Sequence, residues 1–229
     1  MLQFKNVTKK FHHLTAVDDL SLSIEKGRIY AMLGPNGSGK TTLMKMAAGL
    51  VKPDHGEILL DEQPVGVETK KKIAYMPTES FFYPYMTGLD AGKYYHDFFE
   101  DFNMKKYQDL LSSMDLDPSQ KISKMSSGMT AKLKIALTLS RDADIIMLDE
   151  PLNGIDIIAR DQIVSTITTS FSPERSFLLS SHLVDELEKI IDYAVFMKKG
   201  VLVLDGPADD LRREKGISIV DLYREIYAD

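Results

Sequence analysis

Cysteine is absent from all 229 residues, which excludes a disulfide framework and thiolate chemistry and fits a reducing compartment. No apolar run reaches the roughly 18 residues needed to cross a bilayer. The N-terminal stretch MLQFKNVTKKF lacks the uninterrupted apolar core of a secretory signal. Any work at a membrane therefore requires another chain to supply the membrane part. A basic excess is missing too: 28 Lys and Arg stand against 34 Asp and Glu, for a net charge of −6. No nucleic acid is expected as a bulk electrostatic partner. Repeats and low-complexity linkers are also missing. What remains is one ordinary globular domain over residues 1–229, 44% apolar and 27% charged, long enough for a full core.

The hydrophobic pattern is mixed. Leu2 to Val7 and Val17 to Ile24 alternate like strands, with a turn at Glu25-Lys26-Gly27. Arg28 to Leu33 is a short strand running into GPNGSGKTT, followed by a helix with Leu43, Met44, Met46, Ala47 and Leu50 apolar. Strands are expected at Glu57 to Leu60 and Ile73 to Met76. Residues from about 83 to 141 read as helical, interrupted by Pro118, with a capped start near Ser126. Beyond them come a buried strand at Asp144 to Leu148 and a helix over Ile157 to Phe171. A strand at Ser176 to Ser180 and a helix over Leu183 to Ile191 follow, then a hairpin around Lys199-Gly200 and two short helices. Strands alternating with helices predict an α/β fold with a mixed, largely parallel sheet covered on both faces. The stretch 83–141 reads as an inserted helical subdomain, and the N-terminal strands as a β region.

Gly34-Pro35-Asn36-Gly37-Ser38-Gly39-Lys40-Thr41, with Thr42 next, matches the phosphate-loop pattern of P-loop NTPases between a strand and a helix. Its glycines allow backbone N–H groups to turn inward as a nest for phosphate oxygens, and the following helix offers its free N–H groups and positive end to the same anion. Lys40 reaches the β- and γ-phosphates in this pattern, and the Thr41 hydroxyl is a Mg²⁺ ligand. Ile145 to Leu148 is an apolar strand ending in Asp149 and Glu150. Acids at the C-terminal edge of such a strand lie where open α/β sheets bind ligands. Asp149 is expected to hold Mg²⁺ and Glu150 to orient and deprotonate an attacking water. The implied cofactors are ATP and Mg²⁺.

Together these motifs resemble the nucleotide-binding subunit of ATP-binding cassette (ABC) transporters over nearly the whole chain. Ser126-Ser127-Gly128-Met129 resembles the family signature, in the S-x-G-M form of the branch that exports drugs and peptides. Ser126 also makes independent sense as a helix N-cap. The resemblance implies that Ser126 and Gly128 close on the γ-phosphate held by another subunit. It implies that Asp156 contacts that subunit, that His182 is the switch histidine beside the γ-phosphate, and that Phe11 stacks on adenine. In the slot where the family has a glutamine, implied to contact Mg²⁺ and to couple the site to the membrane subunit, this chain has Thr78 followed by Glu79. Thr78 is too short to touch Mg²⁺ directly and is expected to act through water, leaving Glu79 to engage the membrane subunit. The implied partners are a separate transmembrane permease subunit and a second copy or a paralogous cassette. The implied location is cytoplasmic, peripheral on the inner face of the cell membrane.

More than half of the ten Phe and ten Tyr residues fall between Tyr75 and Tyr107. Tyr94, Phe98 and Phe102 fit helical spacing and a core role. Adjacent pairs such as Phe81-Phe82 cannot all face inward, and the family places a groove for a permease helix in this region. Two other functions stay open at this point: a non-transport cassette ATPase, and a regulatory module that binds nucleotide without hydrolysing it.

Overall fold

The computed structural model describes residues 1–228. In chain order, β1 (Leu2–Phe11), β2 (Leu14–Ile24) and β3 (Ile29–Leu33) lead to α1 (Lys40–Ala47). Then come β4 (His55–Leu60), β5 (Gln63–Pro64), α2 (Val67–Lys71) and β6 (Ile73–Met76). Three helices follow: α3 (Gly88–Phe98), α4 (Met104–Ser113) and α5 (Ser127–Leu139). The second half holds β7 (Ile145–Asp149), α6 (Ile157–Ser170), β8 (Ser176–Ser181), α7 (Val184–Leu187), β9 (Tyr193–Lys198), β10 (Val201–Pro207), α8 (Ala208–Lys215) and α9 (Ile219–Tyr227).

Every residue of β3, β7 and β8 is buried, the mark of parallel strands covered on both faces. They form the centre of a six-stranded sheet of order β10-β9-β3-β8-β7-β6, in which only the β9–β10 pair is antiparallel. The remaining strands make a four-stranded antiparallel sheet, β2-β1-β4-β5. Alternation along β3 sends its side chains to two cores. Ile29, Ala31 and Leu33 face a cluster with α5, α6, α7 and α9, while Tyr30 and Met32 face α1 and the antiparallel sheet. A third cluster, around Tyr107, Leu111 and Leu133, holds the helices between β6 and β7 together. Helix α5 belongs to two clusters, through Ile135 and Leu139 on one side and Leu133 and Leu137 on the other.

The helical stretch starts later and breaks more often than the apolar spacing suggests. Residues 83–86 form turns, and Thr87 caps α3 by a reciprocal capping box with Asp90. The helix expected over Leu183 to Ile191 is a single turn, Val184–Leu187. The chain must leave helical geometry so that Asp192 can pair with β3, accepting from Ile29 N at 2.8 Å and donating to its carbonyl at 2.9 Å. Strand β1 runs four residues past its expected end, across register shifts and a positive φ at Asn6 that break strict alternation. Its extension carries Phe11 to the edge of the nucleotide-sized cavity described next.

Candidate nucleotide site

The site lies at the C-terminal ends of the central parallel strands. β3 ends at Leu33 and the loop 34–39 follows, with Gly39 at φ 105°, a left-handed conformation that suits glycine. Helix α1 begins at Lys40, so its free N–H groups open onto the loop. The Lys40 ammonium is buried, donates to the Gly34 carbonyl at 2.7 Å and to that of Pro35 at 3.3 Å, and lies 3.3 Å from Glu150 Oε1. Two buried oxygens here make no hydrogen bond: Ser38 Oγ and Glu150 Oε1. Unsatisfied buried polar atoms are rare and point to a missing polar ligand.

Asp149 is fully buried and ringed by hydroxyls. Thr41 donates to Oδ1 at 3.0 Å, Ser180 to Oδ1 at 2.5 Å and Tyr75 to Oδ2 at 3.2 Å. Burial first, then the Asp149 charge, holds the Tyr75 phenol well above its ordinary range, so it stays a donor. Ser180 also accepts from the Glu150 N–H at 2.9 Å, tying both acids to β8. Glu150 has φ 49°, uncommon for a residue with a side chain. That conformation turns the chain sharply after β7, and His182 Nδ1 lies 2.8 Å from Glu150 Oε2.

A cavity of about 410 Å³ joins Phe11, the phosphate loop from Asn36 to Thr42, Thr78 and Glu150. The Phe11 ring is 42% exposed, with Lys9 Nζ 5.3 Å from its centroid. Ser126, Gly128 and Asp156 are not in this cavity. Ser126 caps α5, its hydroxyl accepting from Met129 N at 3.2 Å, and Ser127 donates to the Gly154 carbonyl at 3.0 Å. Asp156 caps α6, accepting from Ala159 N at 3.0 Å, and this hydrogen bond holds its carboxyl below the usual range. The signature and the Asp156 segment pack on each other.

Around Thr78 the structure adds contacts that sequence reasoning missed. Glu79 pairs with Lys45 of α1 at 2.8 Å, which lowers its pKa, and accepts from Thr78 Oγ1 at 3.3 Å. Lys134 of α5, only 7% exposed, donates to the carbonyls of Pro77, Thr78 (3.0 Å) and Glu79 (3.3 Å). Burial pulls its pKa down to about 8, against the opposing pull of the Asp149 and Glu79 charges. A lysine amid the apolar residues of α5 was the available signal. For Ser180 it was a serine pair closing an apolar strand. Tyr75 carries no such signal, because strand-like spacing alone reads as core.

The ABC transporter family profile matches residues 17–153. The chain belongs to the ABC transporter family. It is an ATP-binding cassette ATPase, as its phosphate loop and paired acids require. The cassette is 30% identical over 211 residues to the SkfA peptide export ATP-binding protein SkfE of Bacillus subtilis, covering 90% of this chain and 88% of that one. The lantibiotic transport ATP-binding protein SrtF of Streptococcus pyogenes is 29% identical, covering 91% and 92%. Against an uncharacterised ABC transporter ATP-binding protein of Synechocystis, 29% identical, the cassette spans 59% of the relative's length. Its fold matches a solved ATP-binding subunit of an ABC transporter at TM-score 0.87 and 25% identity, over 98% of both chains. It also matches the fold of a dimeric cassette in a post-hydrolysis state with ADP and Pi, at TM-score 0.80 and 20% identity, over 90% of this chain and 98% of the other. Among the described residues no helix is long and apolar enough to cross a membrane.

Proposed function

We propose that this cassette is the ATP-hydrolysing motor of an exporter of drugs or peptides. It docks peripherally on the cytoplasmic face of a membrane, on a separate permease subunit, and works as a pair with a second copy or a paralogous cassette. The observation that carries the reading is the continuous set of contacts Thr41–Asp149–Ser180–Glu150–His182 beside the phosphate loop. SkfE and SrtF, named for peptide export and lantibiotic transport, support the export assignment.

The donor set fits Mg²⁺, which takes one or two protein oxygens plus phosphate oxygens. The Thr41 hydroxyl and the Asp149 carboxylate would hold it, with Thr78 reaching it through water. The ion, once bound, neutralises charge developing on the transferred phosphoryl group. Phe11 offers a π-face to adenine. The free N–H groups of the loop and of the first turn of α1, with Ser38 Oγ, receive the phosphates, and Lys40 leaves the loop carbonyls for phosphate oxygens. His182 holds one oxygen of Glu150. The other, paired with Lys40 at 3.3 Å, is released to take a proton from the attacking water once Lys40 turns to phosphate.

Ser126, Gly128 and Asp156 do not line the cavity of their own phosphate loop, which supports their action on a partner's nucleotide. Asp156 serves in its own chain as the α6 cap. Purification from detergent-solubilised membranes tests the assembly. A multi-spanning protein that co-purifies, and whose ATP-driven transport requires this chain, is the expected result. Stoichiometric recovery with ribosomes or chromosomal DNA instead would overturn the transport reading and leave the ATPase standing.

A further inference from the structure

Lys134 is the one buried lysine in the helical segment, and the nucleotide chemistry gives it no task. No carboxylate of the described residues lies within ion-pairing distance of it. Its three short contacts all go to main-chain carbonyls, those of Pro77, Thr78 and Glu79. The Phe81 ring stands 5.9 Å from the same ammonium. Burying an ammonium is costly unless its protons are all received, and three consecutive carbonyls receive three protons. The segment so held runs from the end of β6 to the exposed aromatic turn of Phe81, Tyr83 and Tyr85. It lacks the long side chain by which the family's glutamine reaches the metal.

We propose that Lys134 is a positioning residue that fixes the 77–79 loop to helix α5, so that Thr78 takes its place in the site from the helix that carries the signature. The proposal rests on the ATP-site reading above. Ser126, at the N-terminus of α5, and Lys134 lie about 12 Å apart along one rigid helix at 1.5 Å per residue. Any shift of α5 as its signature end meets nucleotide is passed through one ammonium to three peptide groups of the loop. Thr78 is thereby presented by its main chain rather than by a long side chain of its own. The Lys45–Glu79 pair joins the same loop to α1, but it is largely exposed and of the kind that contributes little. The buried clamp is the stronger tether.

The test compares Lys134→Met with Lys132→Met, which alters a neighbouring lysine on α5 that donates to Met114 instead. In the nucleotide-free protein, chymotrypsin should cut after Phe81 or Tyr85 about tenfold faster in the Lys134→Met chain, the order of one lost charge-assisted hydrogen bond. The Lys132→Met chain should be cut at the wild-type rate. The Mg²⁺ concentration for half-maximal ATPase should rise about tenfold in Lys134→Met, while ATP affinity measured in EDTA stays within about twofold. Lys134→Gln, which keeps an amide donor, should fall between and serves if the Met variant does not fold. Equal cleavage in the wild type and both Lys134 variants, or an unmoved Mg²⁺ dependence, overturns the proposal. Failure of the wild type to bind ATP would instead overturn the site reading beneath it.

Discussion

Lys40 and Glu150 confront each other across the phosphate loop, Nζ to Oε1 at 3.3 Å, with side chains only 5% and 7% exposed. The cation is thus shared among an acid and two carbonyls, from which phosphate must win it. With Lys40→Ala the phosphates lose the only side-chain cation of the loop. Tight ATP binding should disappear in a titration of the purified variant, and unchanged affinity would rule out the assignment.

Glu150→Gln separates the two functions of that acid. Hydrolysis should fall about 10²–10⁴-fold, the usual effect of removing a general base. ATP affinity should hold or rise, because a neutral amide no longer competes for Lys40 or repels phosphate. The variant should persist as an ATP-bound dimer. Light scattering that finds only monomer at saturating Mg-ATP, with the permease present, counts against the two-cassette reading.

Tyr75→Phe removes one hydrogen bond from Asp149 Oδ2 and almost no volume. A hydrogen bond to a charged group is worth about 1.5–3 kcal/mol. Half-saturating Mg²⁺ should rise by about tenfold or more, while nucleotide affinity without metal is unchanged. Isothermal titration with Mg²⁺ at fixed ATP measures the first, and titration with ATP in EDTA the second. An unaltered metal dependence would make Tyr75 a packing residue only.

Glu79→Ala removes a mostly exposed ion pair with Lys45, worth at most about 1 kcal/mol. ATPase activity of the isolated chain should be nearly that of the wild type, and transport in reconstituted vesicles should drop far more. Loss of hydrolysis in the isolated chain, with Thr78→Ala harmless, would make Glu79 the metal-side residue instead of Thr78.

Gly92→Ala addresses the helical segment. A methyl group at Gly92 collides with the buried Tyr107 ring, and overpacking of this kind costs about 1–3 kcal/mol. The melting temperature should fall by about 2–4 °C per kcal/mol for a chain of this size. An unchanged melting curve would show that α3 shifts freely on α4.

The parallel sheet and the phosphate loop were legible in the sequence because one physical demand dominates each. Ile145-Ile146-Met147-Leu148 must be buried on both faces, and a Gly-rich turn before a helix has few other uses. Lys134 and Ser180 were not read because their partners are far off in the chain: carbonyls 55 to 57 residues away, and an acid 31 residues away. Periodicity describes a residue's face, not what waits there. The Leu183 to Ile191 helix failed for a related reason. The turn that cuts it short is set by the pairing of Asp192 with Ile29, 163 residues earlier.

Helix α9 packs Ile219 and Leu222 against the sheet and brings the Tyr227 hydroxyl to the Leu33 carbonyl, the last residue before the phosphate loop, at 3.1 Å, and to that of Met197 at 2.8 Å. The loop's floor is thus completed by a residue 194 positions downstream. During synthesis, which exposes the chain from its N-terminus, the phosphate loop leaves the ribosome long before its support exists. A nascent chain stalled before residue 227 has emerged should hold ATP less firmly than one stalled after α9 has docked, so competence for nucleotide waits for α9 rather than arriving with the motif itself.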